Sequence, residues 1–244
     1  MTRTLKCEAI VLRSIRYGEA DRILRLYTRN HGLRSAIAKG ARRANSRFGA
    51  RLEPCMQVEL LLHEGRGDLL TVTGADTVDA RPGLRDGLAV LEAAARACDA
   101  VSRLFETDEP HPEVFVLLAN ELTWLAGQAG ADELALRPNV LAFRLKLLLA
   151  AGLLPQLGSC ATCGERTHLR GFSAAAGGVV CSSCESGAFS LDIEAYEFLV
   201  AAIGRPLAAA PAAPVRALAQ AERAIRETAE HHAHVRLRPL PQAA

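Results

Sequence analysis

Two cysteine pairs constrain this chain more than any other feature. Cys160 and Cys163 form the first and Cys181 and Cys184 the second, with two residues inside each pair and seventeen between them. A two-residue gap lets both thiolates of one tight turn reach a single cation, and two such turns supply four sulfurs to a tetrahedral ion at about 2.3 Å each. Gly164 follows the second cysteine, where a knuckle turn calls for positive φ. Gly177-Gly178 sits where a hairpin must return the chain, and Phe172, Val179 and Val180 are expected to pack around the metal. The spacing predicts one Zn2+ per chain. Four protein ligands leave no position for water, so the ion is expected to be structural and not catalytic. Thioredoxin-like redox chemistry also uses Cys-x-x-Cys, but it does not need two pairs at this spacing. Cys7, Cys55 and Cys98 stand alone in apolar stretches and are expected to be small core residues.

Charge gives the second constraint. The formal net charge is only +2, yet residues 1–52 carry 13 Lys or Arg against 3 Asp or Glu, and residues 53–244 carry 16 against 24. Such a split points to an anionic partner for the first segment, nucleic acid or anionic lipid. No apolar run approaches the ~18 residues of a membrane span. Charge interrupts the opening MTRTLKCEAIVLR, which does not read as a signal peptide. A cytoplasmic location is expected.

The first 80 residues read as strands at Cys7–Arg16, Arg22–Tyr27, Leu33–Ala38, Cys55–His63 and Leu69–Ala75. Asn30-His31-Gly32 and Gly65-Arg66-Gly67-Asp68 are turn signals. The stretch Lys39–Arg47 is too polar for a core strand and reads as a mobile basic loop. Five strands without a long helix fit the partly open barrel called the OB-fold. After Arg81-Pro82-Gly83 the pattern turns helical: Leu84–Phe105, a helix with Pro112 in its first turn ending near Gly127 or Gly130, one after Pro138 stopped by Gly152 and Pro155, one through Ile203, and Val215–His232. The helix after Pro138 is apolar on most faces and is expected at the centre of a helical domain. The plan is α+β and multidomain. A five-stranded OB-fold β-barrel occupies 1–80, an α-helical domain 81–155 plus 188–244, and an inserted four-cysteine zinc module 156–187.

An OB-type barrel takes single-stranded nucleic acid across an exposed sheet face. Arg34, Lys39, Arg42, Arg43 and Arg47 lie on one strand and its loop, and Arg13, Arg16, Arg22 and Arg25 can add to that face. Only Tyr17, Tyr27 and Phe48 are available there for base stacking, so binding is expected to lean on charge and to show little sequence preference. His231, His232 and His234 read as surface histidines, Asp108, Glu109 and His111 as a solvated connection, and Trp124 as core. There is no Walker loop, no GxSxG elbow and no HExxH. The chain is therefore not expected to be an enzyme. A nuclease would need clustered carboxylates, and the basic segment has almost none. An RNA-binding OB-fold protein is the other alternative.

Several runs resemble one family. Val11-Leu12-Arg13, Tyr17-Gly18-Glu19, Tyr27-Thr28-Arg29-Asn30-His31-Gly32-Leu33 and Ala38-Lys39-Gly40-Ala41-Arg42-Arg43 are similar to the opening of the bacterial recombination-mediator and DNA-repair family RecO. Phe143-Arg144-Leu145-Lys146-Leu147-Leu148, Gly152-Leu153-Leu154-Pro155, Cys160-x2-Cys163-Gly164, Phe172-Ser173 and Gly177-Gly178-Val179-Val180-Cys181 continue the likeness in order. The resemblance implies an N-terminal OB-fold, a helical domain and an inserted zinc module. It further implies binding of single- and double-stranded DNA and annealing of complementary strands. It also implies a complex with RecR and help in loading RecA onto DNA covered by single-strand-binding protein. A nucleoid-associated cytoplasmic protein with no membrane partner follows. Some members of the family lack the four cysteines; this chain has all four.

Overall fold

Alternation of apolar and polar residues in the first 80 positions produces five strands: β1 (Thr4–Tyr17), β2 (Asp21–Thr28), β3 (Gly32–Ala38), β4 (Gln57–His63) and β5 (Leu70–Asp79). The computed structural model describes residues 4–65 and 69–241. The turn expected at Gly65–Asp68 falls largely on 66–68, outside the described residues. The strands close into a barrel in the order β1-β2-β3-β5-β4, antiparallel except for the β3–β5 closure, where Ala36 and Ile37 pair with Leu70 and Thr71. That order, with one parallel closure, is the expected OB-fold. The inward set includes Ala9, Val11, Leu24, Leu26, Ala36, Val58, Leu60 and Val72, all 0 or 1% exposed.

Two helices belong to the same compact unit, residues 1–130: α1 (Leu88–Leu104) and α2 (Pro112–Ala126). Their connection packs on the β2–β3 turn. Leu33 N–H donates to the Thr107 carbonyl at 3.0 Å. Gly32 has φ +58, and a Cβ there would collide with the Glu109 carbonyl oxygen, so only glycine fits. Trp124, expected in the core, is half-buried on α2, whose fully buried stripe is Val114, Phe115, Leu118, Leu122 and Leu125.

The second unit spans residues 131–244. It contains α3 (Glu133–Ala150), the short strands β6 (Leu169–Ser173), β7 (Gly178–Cys181) and β8 (Phe189–Ser190), then α4 (Ile193–Gly204) and α5 (Val215–Ala233). The strands form an antiparallel sheet in the order β7-β6-β8. α3 begins five residues before Pro138 and runs through it. Asp132 caps it, accepting from Ala135 N–H at 2.8 Å. An interior proline costs roughly 3 kcal/mol, and burial of Leu136, Val140, Leu141, Phe143, Leu145 and Leu148 outweighs that.

α3 is central, as its apolar faces require, but it also buries Arg137 and Arg144. Arg137 pairs with Glu222 of α5 at 2.5 Å and donates to the Pro241 carbonyl at 2.9 Å. Arg144 donates to the Arg238 carbonyl at 2.7 Å, and Leu240 N–H donates to Glu222 at 2.6 Å. These bonds strap residues 237–241 onto the helices. Among the described residues no helix is long and apolar enough to cross a membrane.

Candidate metal centre and nucleic-acid interface

The four paired cysteines converge. Their Sγ atoms all lie within 4.8 Å of one another, and Cys163 and Cys181 are 3.7 Å apart. Four sulfurs about 2.3 Å from a tetrahedral ion stand about 3.8 Å apart, so the spacing fits one such cation. The first knuckle closes through Gly164 N–H to the Cys160 carbonyl (2.9 Å) and Cys160 N–H to the Glu165 carbonyl (2.7 Å), and Gly164 takes φ +81 as its position requires. The second pair begins at the end of β7 and closes by Cys184 N–H to the Cys181 carbonyl at 2.9 Å. The chain before the first knuckle bridges the β6–β7 hairpin: Gln156 N–H bonds the Gly177 carbonyl and Val179 N–H the Gln156 carbonyl, each at 2.9 Å. A Cβ on Gly178 would collide with the Gln156 carbonyl oxygen, which explains the second glycine of the hairpin.

Burial alone would push the Cys160 thiol up. N–H groups of Cys163, Cys181 and Thr162 aimed at its sulfur prevail and bring it down to about 6. Cys184 is instead pushed up to about 12, first by its hydrogen bond with Cys163 and then by burial. Thiols competing for protons in this way are a donor set that a soft divalent cation would deprotonate together. Val180 packs on Cys160 and Cys181, as expected. Phe172 faces Phe189, which stacks under Arg223 of α5 with the guanidinium 4.1 Å from the ring centre. Such a metal would staple the 160–163 knuckle to the end of the β6–β7 hairpin, with no ligand position left for a reactant.

The basic residues of the barrel divide into two groups. Arg22 is neutralised by Glu53 at 2.9 Å and also donates to Ser14. Arg34 pairs with Asp108 at 3.0 Å. Arg13, Arg16, Lys39, Arg42, Arg43 and Arg47 are exposed, and among the described residues none has an ion pair. Arg13 pairs in register with Arg25, and both line a groove of about 410 Å3 whose other wall includes Asp99, Arg103 and Glu106, with Arg103 held by Asp99 at 2.7 Å. Arg16 lies farther along β1, toward the hairpin tip onto which the 39–47 segment folds.

That segment is anchored, contrary to the mobile loop its polarity suggests. Gly40 N–H donates to Asp21 at 2.7 Å, Arg42 N–H to the Ala20 carbonyl at 2.8 Å, and the Arg42 guanidinium to the Gly18 carbonyl at 3.4 Å. Ala41, Phe48 and Leu52 belong to the barrel core, so apolar residues spaced through the loop pin it while its arginines stay in water. Arg47 lies 4.9 Å over the Phe48 ring. Of the three aromatic residues available for stacking, Tyr27 and Phe48 are buried. Only Tyr17, 53% exposed beside the β1–β2 turn, presents a ring.

Arg81 has a structural role that the sequence does not announce. It adopts a left-handed backbone (φ 44) and is buried. Its guanidinium bonds the Cys55 carbonyl at 3.0 Å, Thr123 of α2 at 3.3 Å, and the Gln57 side chain. Gln57 donates to Glu8 at 2.5 Å, and Glu8 also holds Arg29 at 2.7 Å. A lone Arg-Pro-Gly reads as a turn, and nothing local to it signals this network.

A closed OB-type barrel with an anchored cationic loop, and a later helical unit that carries a four-cysteine centre, define a two-unit α+β class of protein. Sequence comparison names the family. The profile for the Recombination protein O N terminal matches residues 1–81, and that for the Recombination protein O C terminal matches residues 86–241. Proteins named DNA repair protein RecO are similar over about three quarters of the chain or more. That of Myxococcus xanthus is 40% identical over 179 residues, covering 72% of this chain and 71% of the relative. That of Rubrobacter xylanophilus is 43% identical over 186 residues (75% and 72%), and that of an Anaeromyxobacter strain is 36% identical over 250 residues (97% and 94%). The chain belongs to the RecO family, a family of DNA repair proteins and not of catalysts.

Proposed function

We propose that this chain is a non-enzymatic DNA repair and recombination mediator. It binds single- and double-stranded DNA through the pinned cationic loop of the barrel and anneals complementary strands. With RecR, it helps load RecA onto DNA coated by single-strand-binding protein. The observation that carries this reading is the presentation of Lys39, Arg42, Arg43 and Arg47 from an anchored loop, exposed and without carboxylate partners among the described residues. A rigid cationic surface releases counterions from DNA and loses little ordering entropy when it binds. Annealing brings two polyanions together, and a dense positive surface reduces their repulsion. Sequence readout is unnecessary because the strands read each other. This agrees with the barrel's aromatic residues, of which Tyr17 alone is exposed among the described residues. The four cysteines hold one Zn2+ as a structural ion. Four thiolates converging within 4.8 Å, with no oxygen or nitrogen donor among them, are the donor set of a structural zinc site.

The test is annealing of complementary oligonucleotides pre-coated with single-strand-binding protein, with and without this chain. Acceleration is expected, with the DNA lengths unchanged after incubation with magnesium. No acceleration on coated strands would contradict the mediator role, and shortened DNA would support a nuclease instead. A comparison of DNA with RNA affinity separates the proposal from an RNA-binding role.

A further inference from the structure

Cys55 and Cys98 stand outside the metal centre and the basic surface. Cys55 lies where the basic loop rejoins the barrel, just before β4, and Cys98 lies on α1. Their sulfurs are 3.8 Å apart, and the residues are 4% and 1% exposed. Cys55 takes φ +67, a left-handed conformation that is uncommon for a residue with a Cβ. The conformation is held from both sides. Cys55 N–H donates to the Val11 carbonyl at 2.8 Å, and its own carbonyl accepts from Arg81 at 3.0 Å. A fixed backbone thus aims the Cys55 sulfur at α1, across forty-two intervening residues.

We propose that Cys55 and Cys98 form an oxidisable dithiol, a modification site that a hydroperoxide closes to an intramolecular disulfide. The sulfurs are already in contact at 3.8 Å and must approach to about 2.05 Å for the bond to form. The Cys55 thiolate attacks one peroxide oxygen. The O–O bond breaks, hydroxide leaves and takes up the thiol proton as water, and Cys55 becomes a sulfenic acid. The Cys98 thiol then attacks that sulfur, the S–O bond breaks, and a second water leaves with the Cys98 proton. Two thiols and one hydrogen peroxide yield one disulfide and two waters.

Cys55 suits the attacking role. Its thiol is drawn down first by its hydrogen bond with Cys98 and, against burial, by the charges of Arg81 and Arg85. Cys7, by contrast, is pushed up to about 11 by burial. The crosslink would tie the root of the cationic loop to α1, so oxidation would report on the surface that the proposed DNA binding uses.

The test treats full-length, metal-loaded protein with increasing hydrogen peroxide. Remaining thiols are alkylated in denaturant, and peptides are mapped by mass spectrometry while a chelating dye follows metal release. The expected result is a Cys55–Cys98 linked peptide, two hydrogens lighter than its parts, at doses that leave the metal bound. It should be reversed by dithiothreitol, lost in Cys98→Ser and in Cys55→Ser, and retained in Cys7→Ser. Full alkylation of Cys55 and Cys98 at doses that already release metal would overturn the proposal. So would Cys55 found equally on Cys7 or on a metal-centre cysteine. If the serine variants fail to fold, the wild-type map alone decides. The readout needs no DNA, so its failure leaves the mediator proposal standing.

Discussion

Arg22 and Arg47 carry the same charge and lie in the same basic segment, yet their surroundings give them opposite expectations. Arg22 is held by Glu53 and Ser14, whereas Arg47 is exposed above Phe48. Arg47→Ala should lower DNA affinity and reduce the salt slope of binding by roughly 0.7–0.9. Arg22→Ala should leave that slope unchanged and lower stability. Fluorescence anisotropy across a salt series, paired with thermal melts, separates the two. At Glu222 the expected effect is larger, because it accepts from Arg137 and Leu240 in a buried site. Glu222→Ala leaves Arg137 uncompensated and should destabilise the protein by about 3–5 kcal/mol in denaturant titration. Acid sensitivity of the barrel traces partly to Glu8. Burial would raise its pKa, but Arg29 and Gln57 outweigh burial and hold it below the usual value. A depressed carboxylate contributes stability above its unfolded pKa and loses it as pH falls through the folded pKa. Stability should therefore fall below about pH 4.5, and Glu8→Gln should flatten that fall in melts at successive pH values. The partners of Arg22 and Arg137 are not legible in the sequence, because packing brings Glu53 and Glu222 to them from 31 and 85 residues away.

Elements are more legible than contacts. All five barrel strands follow from alternation and turn residues, and the cysteine spacing fixes both knuckles. β8 escapes a sequence reading because two residues, Phe189 and Ser190, are too short for any periodicity. The start of α3 is obscured because Pro138 is a strong local breaker, while the Asp132 cap and the buried face act over the whole helix. The loop at 39–47 reads as mobile because its anchors, Ala41 within it and Phe48 and Leu52 just beyond, are sparse among charges. The hairpin of the metal module gives a test at this scale. Gly178→Ala places a methyl group against the Gln156 carbonyl and should cost about 1–3 kcal/mol, weakening metal retention. A competition titration with a zinc chelator measures it.

For the molecule as a whole, charge and metal separate two roles along the chain. The basic residues and the barrel lie in the unit spanning 1–130, and the four cysteines lie in the unit spanning 131–244. Removal of zinc by a chelator should unfold the second unit first, since a structural zinc site contributes of order 10 kcal/mol of local folding free energy. DNA affinity should change only as a later consequence, which hydrogen exchange with and without chelator can follow. DNA binding by the pinned cationic loop is read in the salt dependence of single-stranded DNA affinity for the wild type and for Lys39→Glu/Arg42→Glu/Arg43→Glu. The triple variant should bind more weakly on every sequence, with a slope shallower by roughly 2–3. A folded triple variant with unchanged affinity and unchanged slope would contradict it.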